Sequence, residues 1–104
     1  MILGLDVSTS FVGVTTLNPD GELISCEAID LRKIKNYFKK AEKVKEYLHS
    51  LDKNSPHRVQ KVYIEQSLQA FRPGFSSANT LMTLAKFNGT VSWICHETYS
   101  TEID

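Results

Sequence analysis

MILGLDVSTSFVGVTTL, residues 1–17, holds two apolar runs separated by three hydroxyl side chains. Residues 1–7 are rich in aliphatic side chains and alternate in character, which predicts a strand starting at the first residue. Residues 11–17 are aromatic and β-branched, the composition that suits a pleated, half-buried surface. Ser8, Thr9 and Ser10 leave room only for a tight reversal, so the two runs pair as antiparallel neighbours. Asn18-Pro19-Asp20-Gly21 follows; Pro presets one turn dihedral and Gly takes the positive one. A third strand over residues 22–29 (ELISCEAI) completes a three-stranded meander.

From residue 33 the period changes. Ile34, Tyr37, Phe38, Ala41, Val44, Leu48 and Leu51 fall three or four apart, which predicts a helix over residues 33–51 with lysines on its other face. DKNSPH (52–57) ends it, because Pro56 cannot continue a helix. Residues 59–64 (VQKVYI) read as a fourth strand with Glu65 at its C-terminal end. A loop over 66–75 contains FRPGF, and a second helix starts at Ser76 or Ser77, either of which can cap it. That helix carries Leu81, Met82, Leu84, Ala85 and Phe87 and runs past Gly89 to Trp93 or Cys95. A mid-helix glycine is unfavourable, so Gly89 marks a kink or a close approach of another backbone. Residues 98–104 suit the start of one more strand. The order is that of an α/β mixed sheet in which a crossover helix returns strand four parallel to strand one. Strand one is then central, and Asp6 and Glu65 meet at neighbouring C-terminal strand ends, where open α/β sheets place their sites.

A length of 104 residues and 41% hydrophobic content fit one small globular domain. Twelve basic and twelve acidic residues cancel, so the chain as a whole lacks the basic excess of many nucleic-acid binders. The charge is nevertheless uneven: Arg32, Lys33, Lys35, Lys39, Lys40, Lys43 and Lys45 stand against a single acid, Glu42. Cys26 and Cys95 are far apart in apolar surroundings and form no CxxC, which argues against a zinc site or a disulfide framework and suits a cytoplasmic protein with buried, inert thiols. The first residues are too short an apolar run for a signal peptide or a membrane span. His49, His57 and His96 have no metal-ligand spacing and read as surface groups.

Two carboxylates brought together repel unless a cation lies between them, and Mg²⁺ prefers carboxylate oxygen and water. Asp6 and Glu65 are the acids that the topology pairs on rigid strand ends. Taken singly each has a plainer use: Asp6 as a turn cap for Ser8 or Thr9, Glu65 as a surface charge. Asp20 and Asp52 sit in turns or helix ends, and Glu22, Glu27, Glu42 and Glu46 read as solvated charges.

ILGLDVSTSFVGVTTL (2–17) resembles the opening hairpin of RuvC-type Holliday-junction resolvases, members of the ribonuclease H-like superfamily. VYIEQSLQAFRPGFSSANTLMTLAKFNGTVSWIC (62–95) resembles their fourth strand and following helix, above all in its Ile-Glu-Gln strand end, Phe/Gly-rich loop, Ser-Ser-Ala and Leu-Ala-x-Phe-Asn-Gly. The resemblance implies a Mg²⁺- or Mn²⁺-dependent endonuclease resolving four-way or branched DNA, working as a homodimer, with Asp6 and Glu65 as catalytic metal ligands. It gives Phe71 and Phe75 to base stacking and Arg72 to phosphate, although Phe75 serves equally as a core plug. Ser76, Ser77 and Asn79 stand where a helix N-terminus takes a phosphate, and capping alone explains one serine. The lysine face of the first helix reads as a solvated face, with contact to DNA backbone as its other use. Trp93 and Phe87 read as core or subunit-interface residues. The family has a further strand and a C-terminal helix bearing additional ligands, so residues 1–104 are expected to be the truncated front of a single domain. Two other classes remain open: a non-catalytic junction-binding or dimerisation module, and an actin-like ATPase fragment, whose phosphate hairpin shares the pattern of GLDVSTS.

Overall fold

The computed structural model describes residues 1–54, 58–65, 78–100 and 103. Strand β1 is Ile2–Val7, β2 Phe11–Leu17 and β3 Leu23–Asp30; helix α1 is Tyr37–Asn54, strand β4 Lys61–Ile64 and helix α2 Ala78–Tyr99. They form a ribonuclease H-like mixed sheet in the order β3-β2-β1-β4, antiparallel except for the parallel β1–β4 pair.

Local chemistry closes both hairpins. The Ser8 hydroxyl accepts hydrogen bonds from the amides of Ser10 (3.3 Å) and Phe11 (3.0 Å) and donates to the Phe11 carbonyl. In the next turn the Asn18 carboxamide oxygen accepts from the amides of Asp20 (3.0 Å) and Glu22 (2.9 Å), while Gly21 takes the left-handed φ of 88° that its lack of a Cβ permits. Period-two alternation then sorts the side chains. Leu3, Leu5, Val7, Val12, Val14, Ile29, Val62 and Ile64 are buried on one face under the two helices. Val44 and Leu48 of α1, and Phe87, Val91, Ile94 and Cys95 of α2, fill the space above them. Burial of roughly twenty such side chains, at about 1.5–3 kcal/mol each, is the main force holding the layers together.

The helix boundaries differ from the sequence expectation. α1 begins at Tyr37, four residues later than the apolar period suggests, because the Asn36 side chain accepts hydrogen bonds from the amides of Phe38 (2.9 Å) and Lys39 (3.1 Å) and so caps the helix. Ile34 packs on the core from the preceding turn. Tyr37 takes the inward position, edge-on to Phe87 at 5.7 Å, and leaves Phe38 72% exposed. α2 runs through Gly89 to Tyr99, past Cys95, and its end is tied to α1 by the Tyr99 hydroxyl donating to the Leu48 carbonyl at 2.7 Å. Cys95 is buried as expected, but Cys26 is exposed, because it lies on the face of β3 away from the helices. Beyond β4, Ile103 forms a parallel bridge to Val62, where a fifth strand would lie. Among the described residues no helix is long and apolar enough to cross a membrane.

Candidate functional site

Asp6 stands opposite Gly13 of β2, and Leu5 pairs with Ile64 of β4. The Glu65 amide continues that ladder by donating to the Leu5 carbonyl at 2.9 Å, so Glu65 falls beside Asp6 one step further along. Neighbouring strands lie about 4.8 Å apart, which sets the scale of the separation between the two backbones. Leu5 and Ile64 point to the core, so Asp6 and Glu65 share the opposite face, and both are exposed. Neither carboxylate has a hydrogen-bonding or ion-pairing partner among the described residues. The turn after β1 is closed by Ser8, so Asp6 is not its cap.

Asp6 and Glu65 look onto an open cleft of about 600 Å³ whose walls include Gly4, Gly13, Thr15 and Tyr63. Gly13 keeps the space beside Asp6 clear: a Cβ there would already touch the Asp6 Cβ at 3.6 Å, and a longer side chain would extend into the cleft. From the helical layer the Asn88 carboxamide donates to the Glu65 carbonyl at 3.1 Å and fixes the strand end. A second, smaller cleft lies at the rim beside the β1–β2 turn, lined by Ser8, Thr9, Thr80, Thr83 and Leu84. The Lys40 ammonium donates to the Thr9 carbonyl at 2.6 Å and holds that turn.

Asn88, Thr80 and Thr83 were not singled out from the sequence, and Lys40 was named only as part of the basic segment. For Asn88 the signal was present in the Phe-Asn-Gly part of the block resembling resolvases, but its carbonyl partner is 23 residues away. Phe71, Arg72, Phe75, Ser76, Ser77 and His57 lie outside the described residues, and Asn79 falls in the first turn of α2. His49 and His96 are exposed. Among the described residues no three His, Cys, Asp or Glu side chains converge. The two converging acids offer only hard oxygen donors on rigid strand ends, a set that suits Mg²⁺ or Mn²⁺ with water and phosphate oxygens filling the other positions.

Strand order and the parallel central pair are those of a ribonuclease H-like fold. Within it the chain is similar in structure to Thermus thermophilus RuvC in complex with Holliday junction substrate, with a TM-score of 0.73 and 12% identity over 98% of this chain and 60% of that one. A second Thermus thermophilus RuvC structure matches with a TM-score of 0.62 and 15% identity over the same shares. At these identities the likeness is one of fold, and the chain spans 60% of the length of the RuvC chains. No protein-family model and no curated protein matches the sequence.

Proposed function

We propose that the chain is the leading part of a single metal-dependent endonuclease domain that hydrolyses phosphodiesters in four-way (Holliday) or branched DNA in the cytoplasm. The observation that carries the reading is the Asp6–Glu65 pair, without a side-chain partner among the described residues and side by side at the end of the parallel strands of a RuvC-like sheet. When bound there, Mg²⁺ or Mn²⁺ would polarise the phosphate and lower the pKa of a water nucleophile. The chain's own residues prepare that place. Asp6 and Glu65 hold donor oxygens on backbone that cannot shift without breaking the ladder, Asn88 anchors the Glu65 strand end, and Gly13 leaves access for a phosphate. Phe71 and Phe75 would stack on unpaired bases and Arg72 would meet phosphate, with Ser76, Ser77 and Asn79 donating at the start of α2.

The reading includes a homodimer built on α2. Met82, Lys86, Gly89 and Trp93 recur at four, three and four residues, the spacing of a helix–helix seam. Met82 and Trp93 are 57% and 59% exposed, and Phe38 and Trp93 line a groove with Gly89, where an added Cβ meets nothing within 4 Å among the described residues. A glycine that costs helix stability and has no described neighbour at its Cβ position suits the close approach of a second helix.

The test is an assay of four-way DNA binding and cutting by the 104-residue chain, with and without Mg²⁺ or Mn²⁺. Metal-dependent cutting that disappears in Asp6→Asn supports the reading, whereas cutting that persists in Asp6→Asn removes the assigned role. A second reading, a junction-binding module that does not cut, is favoured by the described site offering two acidic donors; it is distinguished by selective four-way binding without cleavage and independent of Glu65.

A further inference from the structure

The charge of this neutral chain is segregated. Seven of its twelve basic residues and one of its twelve acids fall between Arg32 and Lys45. The fold places the start of that segment at the sheet end that carries Asp6 and Glu65. The Leu31 amide donates to the Ser10 carbonyl at 2.8 Å, and the Arg32 guanidinium lies 4.8 Å over the Phe11 ring, so the chain leaving β3 is fixed against the β1–β2 turn.

Not every cation here is free for a partner. Lys40 and Lys43 donate to the carbonyls of Thr9 (2.6 Å) and Asp30 (2.7 Å), and Arg32 forms a two-pronged pair with Asp30. These three already have partners within the chain. Lys33 and Lys35 are exposed and have no partner among the described residues; Lys39 has only Glu42 at 3.6 Å, a pair exposed on both sides. Exposed pairs of that kind contribute little to stability and leave the lysine available to a partner. Three exposed like charges within seven residues, none taken up by a strong partner among the described residues, repel one another in the free chain, and a dense line of negative charge relieves that. Duplex DNA presents about one charge per 1.7 Å of its axis.

We propose that Lys33, Lys35 and Lys39 form a docking ridge for the sugar–phosphate backbone of a duplex arm, leading it towards the Asp6–Glu65 end of the sheet. The proposal rests on the nucleic-acid reading above. It assigns the ridge to sequence-independent affinity and the carboxylates to chemistry.

The experiment is a titration of labelled four-way DNA and plain duplex with the whole chain in EDTA, read by fluorescence anisotropy between 50 and 200 mM KCl. The comparison is with Lys33→Ala/Lys35→Ala/Lys39→Ala and with Lys53→Ala/Arg58→Ala. The second variant removes cations at the opposite sheet end, where the Met1 amino group donates to the Arg58 carbonyl at 2.6 Å. Each phosphate contact contributes about 0.9 to the slope of log affinity against log salt, so the ridge variant is expected to lose about 2–3 from that slope on both DNAs. The far-end variant keeps the wild-type slope. A ridge variant with the wild-type slope overturns the ridge and leaves the functional reading standing. Equal losses in both variants replace the ridge with a diffuse charge effect and also overturn it. A wild-type chain that binds neither DNA overturns the functional reading and the ridge together.

Discussion

Asp6 and Glu65 put two carboxylates on adjacent strands with no compensating group among the described residues. Like charges opposite one another in a sheet destabilise it. Asp6→Asn and Glu65→Gln are therefore expected to leave the melting temperature in EDTA unchanged or slightly raised, within about 0.5 kcal/mol of wild type. Mg²⁺ should raise the melting temperature of the wild type only, so a pair of melts for each protein checks both signs. Cys95 carries a pH dependence of another origin. Burial pushes its thiol up from 9 to about 12, so the native state keeps a proton that the unfolded chain releases. That contribution is complete below pH 9 and is lost as pH rises from 9 towards 12. Tyr99 adds to it, its phenol pushed up first by burial. Urea midpoints should fall steadily above pH 9, and Cys95→Ala should make the fall shallower.

At the scale of elements, α1 depends on a single side chain for its start. Asn36→Ala removes the acceptor for two amides and should lower stability by about 1 kcal/mol, measured by urea denaturation, while Ser and Asp at that position should restore it. Strands and turns were legible in the sequence because their signals are local: alternation in β1, β-branched residues in β2, Asn18 and Gly21 in the turn. The adjacency of Asp6 and Glu65 was also legible, since a crossover helix between β3 and β4 returns β4 as a parallel strand and the meander leaves β1 as its neighbour. The beginning of α1 was not, because Ile34 continues the apolar period from a turn outside the helix, while Asn36 sits inconspicuously among lysines. The bond from Asn88 to Glu65 joins α2 to β4 in three dimensions, and no spacing in the chain encodes it. Phe38 and Trp93 show the same limit, since their periodicity places them on α1 and α2 but does not say which face lacks a neighbour.

For the whole molecule, the sheet divides the work. One face is closed by the helices, and the other carries the carboxylate cleft with no described helix over it. The proposed basic ridge borders the same end, and the proposed seam on α2 lies on the covered side. If that seam joins two chains, Trp93→Ala should shift the sedimentation coefficient from dimer to monomer without altering the circular dichroism spectrum. The central claim is that Asp6 and Glu65 hold a divalent cation. Its most direct measurement is a Mn²⁺ titration of the amide resonances of the isotopically labelled chain. Broadening should begin at residues 4–7, Gly13 and Glu65 and be absent in Asp6→Asn. Uniform broadening, or broadening centred on the acids and His49 of α1 with the strand ends untouched, would contradict it.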